Sequence, residues 1–557
     1  MAVGEGVPAW VSTLHWTVSF VLVVLGGLLT YLRSGRRVKN SVGFFHPFTS
    51  DGGGGERVLW CAVREVQAAN PEAECVVYSG DDATGAELAR RAEQRFGVKL
   101  ERPIAVVPLR WRSLVVPERY PVLTMVGQAI GSAILTAEAV AAYRPEIFFD
   151  TVGYAFGYPV ACLSGATVAA YVHYPTISTD MIARVRSRAN MYNNTGAVAR
   201  SGALSRLKVF YYRAFAMAYG ACGRCASAVA VNSSWTQAHI AALWGGEPAV
   251  VYPPCDTAAL RQMPLARGRN SSGAITGTEE EKAPEVLRGQ GKEMSGGRGE
   301  SSPGGGGGGV DGGAYVISVG QFRPEKDHAL QLRAWAAVKK LAVAGAAGGA
   351  GLARTGTEEQ DSSKRTKTAA AAAAKLAAEK VLDARLKIVG GCRGAPDKAR
   401  LAALRALAAE LGVADSVDWH VDVPYPKLCE LLGGASAGLH TMLDEHFGIC
   451  VVEYLAAGAV PIAHDSAGPR MDIVRPANGE RLSVGFLATS EAEYAAMMGE
   501  VLRMDDRERE AMAGRGRERS AMFSEEAFGK GLREVLSPLF GRMKAKEANR
   551  RGSAGPR

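Results

Sequence analysis

Two glutamates near the C-terminal end of this 557-residue chain have the spacing of a binding site. Glu445 opens the run Glu445-His446-Phe447-Gly448-Ile449-Cys450-Val451-Val452-Glu453, which places two carboxylates eight residues apart at the start of an apolar helical stretch. Gly458 ends that stretch, and Val460-Pro461-Ile462 reads as a strand behind it. Gly448 lets the backbone come close to a ligand, and the N–H groups of a first helical turn suit a phosphate. The amides of Phe447, Gly448 and Ile449 can therefore contact phosphate or sugar hydroxyls. Glu445 falls in the loop before the helix and Glu453 about a turn and a half inside it. One carboxylate can then meet the reacting part of a nucleotide ligand and the other its ribose. Two solvated glutamates flanking a core helix would look the same, so the rest of the chain has to decide.

A second group of polar residues lies upstream. Arg323 and Lys326, in Gly320-Gln321-Phe322-Arg323-Pro324-Glu325-Lys326, follow a strand candidate at Val316–Val319. Two cations three residues apart can neutralise a departing diphosphate, the arginine by forking across two oxygens and the lysine as a point charge. Nearer the N-terminus, Gly52, Gly53, Gly54 and Gly55 precede a helix expected from about Glu56 to Ala69. The spacing is neither a dinucleotide fingerprint nor a Walker loop, because no third glycine and no Gly-Lys-Ser/Thr follows. It is either a flexible surface turn or a loop that comes close to a phosphate or sugar. His173 ends a strand candidate at Val168–His173, where a histidine is either a satisfied core residue or a substrate contact. Asp180, His46 and Asp51 are supporting candidates.

These groups need a frame. Short strand candidates at Val42–His46, Cys75–Ser79, Glu146–Asp150, Val168–His173 and Ala228–Asn232 alternate with helical stretches, as do Val316–Val319, Leu386–Val389, Val417–His420, Gly438–Thr441 and Val460–His464. Strands separated by helices imply parallel βαβ sheets, and the length implies two domains. The division expected is an anchor with a basic flank at 1–40, a first Rossmann-like domain at 41–262, a low-complexity insertion at 263–313, a second Rossmann-like domain at 314–540 carrying an insertion at 342–380, and a basic tail at 541–557. The first insertion contains Gly304–Gly309 and the second a run of alanines, Ala369–Ala374, so both read as disordered or frayed, the second partly helical.

Composition narrows the classes. The nine cysteines are odd in number and scattered, which argues for a reducing compartment and against a disulfide framework. Cys222 and Cys225 read as buried thiols at a helix end. No Asp-x-Asp occurs, which fits a site using basic side chains and a helix N-terminus in place of a metal; no cofactor is expected. The net charge of +9 comes without a nucleic-acid motif, so no nucleic-acid partner is expected. Trp10–Leu32 carries no formal charge and is long enough to cross a bilayer, and Arg33, Arg36, Arg37 and Lys39 follow it. The positive-inside rule puts the bulk of the chain in the cytosol, so that the sequons at Asn193, Asn232 and Asn270 stay unmodified. Tyr120–Tyr143 and Leu207–Tyr219 each either touch a membrane or pack as domain helices, with interfacial contact favoured for the second.

The Glu445-to-Glu453 run resembles the E-x7-E element of retaining family-4 glycosyltransferases, which have the GT-B fold of two facing Rossmann-like domains. Within them, Gly43-Phe44-Phe45-His46-Pro47, Gly52 to Trp60, Tyr171 to Asp180, Val231 to Thr236 and Gly320 to Lys326 resemble the GDP-mannose-dependent α-1,2-mannosyltransferases that act on dolichol-diphosphate-linked oligosaccharide in asparagine-linked glycosylation. The resemblance runs from about Gly43 to Phe540. It implies GDP-mannose as donor, Arg323 and Lys326 on its diphosphate, Glu453 on the ribose, Glu445 against the mannosyl group, and His173 near the anomeric centre. Gly53, Gly54 and Gly55 would shape the acceptor and diphosphate site. It further implies the endoplasmic-reticulum membrane and association with other early mannosyltransferases. Two rivals share parts of the pattern: another GT-B enzyme such as a phosphatidylinositol mannosyltransferase, and a silent membrane-tethered scaffold. Intact Arg323, Lys326, Glu445 and Glu453 count against the scaffold.

Overall fold

The computed structural model describes residues 23, 26–50, 52–181, 202–264, 313–352, 373–474 and 483–553. Asp51, Asn193, Asn270, nearly all of the first insertion, the middle of the second and most of Trp10–Leu32 lie outside them. The chain divides into two compact units, Met1–Cys255 with Met522–Arg557, and Asp256–Ala521.

The first unit is built on a seven-stranded sheet. Its strands are β1 (Ser41–Phe45), β2 (Glu74–Ser79), β3 (Ala105–Pro108), β4 (Ile147–Asp150), β5 (Thr167–Val172), β6 (Ala228–Val231) and β7 (Ala249–Val250). They lie in the order β3-β2-β1-β4-β5-β6-β7, and every pairing is parallel. Burial on both faces explains the near-continuous apolar runs: Val42 and Phe44 enter one apolar layer and Phe45 the opposite one. The interior strands fall within a residue of their expected positions. The edge strands β3 and β7 were not expected: they are apolar but only four and two residues long, and prolines lie in or beside them.

The second unit repeats the plan with six strands, β8 (Tyr315–Val319), β9 (Arg385–Gly390), β10 (Val417–Val421), β11 (Ala437–His440), β12 (Val460–His464) and β13 (Phe486–Ala488), in the order β10-β9-β8-β11-β12-β13. These pairings are parallel too. Val316 and Ile317 again split between two apolar layers.

The helices include α1 (Gly54–Ala69), α2 (Gly85–Phe96), α3 (Thr124–Ala142) and α4 (Gly202–Gly223) in the first unit and α5 (Ile449–Ala457) in the second. α1 begins two residues before the expected Glu56, so Gly54 and Gly55 form its first turn. One face of α3 is buried through Gly131, Ser132, Leu135, Thr136, Ala139 and Val140, and a Cβ on Gly131 would meet the Leu114 carbonyl oxygen at 2.0 Å. Among the described residues, α3 is the one helix long and apolar enough to cross a membrane.

The C-terminal boundary differs from the sequence division. A sixth helix, α6 (Glu525–Ser553), packs in the first unit, although 314–540 was assigned to the second domain and 541–557 to a basic tail. Phe528, Leu532, Leu536, Leu539 and Met543 recur every three or four residues and bury beside Val58 and Val63 of α1. Arg57 and Arg64 reach Glu525 at its start at 2.6 and 3.0 Å. Apolar periodicity, not tail-like charge, governs this segment. Cys222 and Cys225 are half-buried rather than buried, because α4 ends near the surface.

Candidate active site

In each sheet the strand order reverses beside the first strand, between β1 and β4 and between β8 and β11. Loops leaving the carboxyl ends of such a strand pair diverge to opposite faces and open a crevice, the usual ligand site of open parallel sheets. The polar residues singled out from sequence fall at these two places.

In the second unit, β8 runs into Gly320–Lys326 and β11 into 441–448. Thr441 ties them: its Oγ1 donates to the Lys326 carbonyl at 2.8 Å and accepts from Gln331 Nε2 at 2.9 Å. The Lys326 ammonium then meets the Glu445 carboxylate, Nζ to Oε2, at 2.6 Å, and lies 3.3 Å from Met442 Sδ. His440, the last residue of β11, reaches the same Oε2 through Nε2 at 3.2 Å. The three side chains are 24%, 14% and 2% exposed for Lys326, Glu445 and His440. Two donors from different elements thus converge on one carboxylate oxygen.

The charges support one another. Burial alone would push the Glu445 carboxyl up; the hydrogen bond from His440 and the Lys326 charge outweigh it and hold the group far below the usual carboxylate range. Burial opposes the Lys326 charge, and the Glu445 carboxylate more than offsets that, raising the ammonium. Burial likewise opposes a charge on His440, but Cys450 and Glu445 push the imidazole up to about 9.

The rest of the loop is shaped by glycines. Gly448 caps α5 at φ 102°, in the left-handed region where a side chain is strained, and its carbonyl accepts from Val451 N at 3.0 Å. Phe447 and Gly448 are buried and Ile449 half-buried, with Ile449 opening the helix. A Cβ on Gly468 would lie 2.5 Å from Phe447 Cα, so only glycine lets the loop after β12 close on this segment. Gly468 N donates to the Glu445 carbonyl at 3.0 Å. Glu453 sits half-buried one turn into α5. Beside it, the Tyr454 hydroxyl accepts from Val319 N at 2.8 Å and donates to the Leu439 carbonyl at 3.3 Å, clamping the ends of β8 and β11. Arg323 is exposed at the start of the turn Pro324–Lys326, and its side chain is not drawn into the Glu445 cluster.

In the first unit, His46 follows β1 directly, and Asp150 ends β4 with Thr151 next after it. His46 Nδ1 is 2.9 Å from Thr151 Oγ1, and His173 Nε2 is 3.0 Å from the Thr151 carbonyl oxygen. A carbonyl only accepts, so His173 carries a proton on Nε2. A Cβ on Gly55 would stand 3.6 Å from His173 Nε2, which brings the glycine turn, His46 and His173 together. Gly53 caps α1, with open space where a side chain would be, and Gly52 N donates to Glu56 Oε1. Burial and the neighbouring His173 lower His46 to about 3.

Asp150 organises this corner. Its carboxylate accepts from Val152, Gly153 and Tyr154 amides at 2.9, 3.1 and 2.6 Å and from the Tyr158 hydroxyl at 2.8 Å. Burial still pushes it up to about 6. Asp180 lies 3.4 Å from His239 Nε2, on a separate element. Sequence reasoning missed His440, Thr151 and Asp150. A polar residue ending a buried strand was the available signal, and it was applied only to His173.

The N-terminal region matches the family described as "ALG11 mannosyltransferase N-terminus" over residues 39–244, and residues 360–519 match "Glycosyl transferases group 1". The Mus musculus protein named GDP-Man:Man(3)GlcNAc(2)-PP-Dol alpha-1,2-mannosyltransferase is 38% identical over 491 residues, covering 87% of this chain and 84% of its own. The Homo sapiens protein of the same name is 36% identical over 527 residues, covering 92% and 91%. Among solved structures, sucrose-phosphate synthase from Thermosynechococcus elongatus superposes with a TM-score of 0.55 at 15% identity, covering 90% of this chain and 99% of its own. That likeness shows the GT-B fold.

Proposed function

The chain belongs to the family of GDP-Man:Man(3)GlcNAc(2)-PP-Dol alpha-1,2-mannosyltransferases, and from that premise we propose how its residues carry out mannosyl transfer. It is a GDP-mannose-dependent glycosyltransferase that makes an α-1,2 linkage on dolichol-diphosphate-linked oligosaccharide, the precursor of protein N-glycosylation. The reading proposed here has it add the fourth and fifth mannoses with retention of configuration.

The observation that carries the residue assignment is the Lys326–Glu445 pair at the β8/β11 switch point, 2.6 Å apart. Lys326 and Arg323, with the first-turn amides of α5, receive the diphosphate; Glu453 accepts hydrogen bonds from the ribose; Glu445 lies against the mannose. The charge that develops as the sugar–phosphate bond breaks is met by these cations and amides, with no divalent metal assigned a part. In the first unit, Gly53, Gly54, Gly55 and His173 border the acceptor.

Two retaining routes are open to this site. In one, Glu445 attacks the anomeric carbon. In the other, the acceptor hydroxyl attacks from the face the diphosphate leaves, and its proton passes to the departing diphosphate. A carboxylate whose oxygen stays hydrogen-bonded to His440 is a weakened nucleophile, which supports the second route. The test is mannose transfer from GDP-mannose to synthetic lipid-linked acceptors of increasing mannose count. Transfer that starts on the trimannosyl acceptor and ends at five mannoses fits the reading; transfer to phosphatidylinositol instead overturns it.

The proposed location is the endoplasmic-reticulum membrane, with both units in the cytosol. Four basic residues follow the apolar segment, and that segment enters the first unit directly. Leu32 is fully buried beside Ala139 and Val140, and Arg36–Arg37 pairs with Tyr143–Arg144. The outward side of α4 supports an interfacial contact, because exposed Arg206, Phe210, Arg213 and Met217 recur at helical spacing and exposed Arg224 follows its end. Asn232 is only 4% exposed, so a missing glycan there says nothing about topology. A glycosylation reporter joined after Arg557 is the better probe, and a glycan on it puts the catalytic units in the lumen.

A further inference from the structure

Lys326 has two claims on it. Without donor its ammonium rests on Glu445, and in the reading above, on which this inference depends, the same ammonium meets the diphosphate. When it turns to the phosphates, Glu445 loses its shortest contact while remaining almost enclosed by protein. A buried carboxylate stripped of its partner takes up a proton or swings away, and either change spoils its contact with the sugar.

We propose that His440 is a positioning residue that keeps Glu445 charged and aligned while Lys326 serves the diphosphate. Three features carry this. His440 approaches the oxygen that Lys326 binds, Glu445 Oε2, at 3.2 Å, so it remains when the lysine moves. It is anchored independently of the donor: it ends β11, its ring is 2% exposed, and the Tyr494 hydroxyl donates to its carbonyl at 3.1 Å. Its surroundings favour one charged histidine. The groups facing it are Glu445, Lys326 before the helix that opens at His328, Cys450 of α5, His328, His464 of β12 and Tyr494. Burial and Lys326 lower His328 to about 4, and burial lowers His464, so both stay neutral. Among these three histidines, His440 is the one hydrogen-bonded to a carboxylate, and its imidazole is pushed up to about 9.

The donor pair is thus a three-membered relay of contacts. Lys326 is shared between carboxylate and diphosphate, and His440 is the fixed counter-charge behind the carboxylate. His440 touches neither donor nor acceptor and acts through Glu445.

The test uses the full chain in detergent with GDP-mannose and a lipid-linked trimannosyl acceptor. His440→Gln keeps an N–H near the Nε2 position and removes only the charge. It is expected to lower kcat at pH 7 roughly tenfold or more, to leave GDP affinity within about threefold, and to bring in an acid-side limb of kcat that the wild type lacks above pH 5, as Glu445 becomes easier to protonate. The double variant with Glu445→Gln is expected to be no slower than Glu445→Gln alone, since His440 then has nothing to hold. Losses that multiply in the double variant, or a wild-type pH profile in His440→Gln, overturn the proposal. Full activity in Glu445→Gln would instead sink the underlying site assignment. Should His440→Gln not bind GDP, the wild-type infrared spectrum decides the matter. The Glu445 carboxylate band, assigned by its loss in Glu445→Gln, should persist when GDP binds, and its conversion to a protonated carboxyl refutes the idea.

Discussion

Two switch points in one chain have been fitted out in opposite ways. At β8/β11 the buried groups are ionised and paired: Glu445 is held far below the ordinary range, His440 up to about 9, and Lys326 raised. At β1/β4 the buried groups are driven toward neutrality: His46 falls to about 3 and Asp150 rises to about 6. The sheets have the same topology, so topology does not set this difference. What sets it is whether a buried group has an oppositely charged partner within hydrogen-bond reach. In the proposed reading the second unit handles a leaving group whose charge grows, and paired ions there can exchange partners with it. In the same reading the first unit handles hydroxyls, for which fixed neutral donors and acceptors are enough.

The contrast is open to direct attack at its charged end. Lys326→Ala removes the proposed contact that strengthens as the diphosphate departs, and should slow turnover by roughly 30- to 1000-fold, or about 2–4 kcal/mol. Turnover within twofold of wild type would mean that the ionised cluster is structural. Within the same cluster the two glutamates should separate. Glu453→Gln weakens the proposed bonds to the ribose, worth about 1.5–3 kcal/mol each, and should mainly raise the donor KM. Glu445→Gln should lower kcat, because the sugar it faces changes charge in the transition state. Steady-state kinetics with both variants distinguishes them, and the reverse pattern would exchange their roles.

At the neutral end the expected signature is one of stability. His46 stays uncharged in the fold to about pH 3, while the unfolded chain protonates it near 6.5. The folded pKa is therefore depressed, and stability falls as pH drops from about 6.5 toward 3. At pH 5 the loss is about 2 kcal/mol relative to neutral pH. His46→Gln should flatten that part of the profile in denaturant titrations between pH 7 and pH 5. An unchanged slope would mean that another group sets the acid limit.

Sequence carried the sheets and half of each site. The interior strands were legible because burial on both faces leaves continuous apolar runs, as in Val460–His464. Lys326 and Glu445 were legible because one follows a strand and the other precedes a helix, places where a charge can meet a ligand, and because both lie in motifs that carry the family resemblance. Their contact was not, since it needs β8 and β11 to be neighbours although 119 residues separate the pair. His440 and Thr151 escaped because each works through a partner fixed only by the fold. Helix α6 was misassigned because its apolar stripe does not say which sheet it will cover.

The smallest effect tests the tautomer of His173, and so whether the first unit really works through neutral hydrogen bonds. Its Nε2 donates to the Thr151 carbonyl at 3.0 Å, so a neutral ring would accept from a ligand hydroxyl through Nδ1. His173→Ala should cost one neutral hydrogen bond, about 0.5–1.5 kcal/mol or roughly 2- to 13-fold in kcat/KM. An asparagine amide sits near the Nδ1 position of the ring it replaces, and a glutamine amide near Nε2. If Nδ1 is the working atom, His173→Asn should recover most of the loss and His173→Gln should behave like alanine. Recovery in the glutamine variant would give the ligand contact to Nε2, and would require the Thr151 hydrogen bond to break when acceptor binds. A loss beyond 100-fold in His173→Ala would exceed any neutral hydrogen bond. It would place ionic chemistry in the first unit and end the contrast between the two switch points.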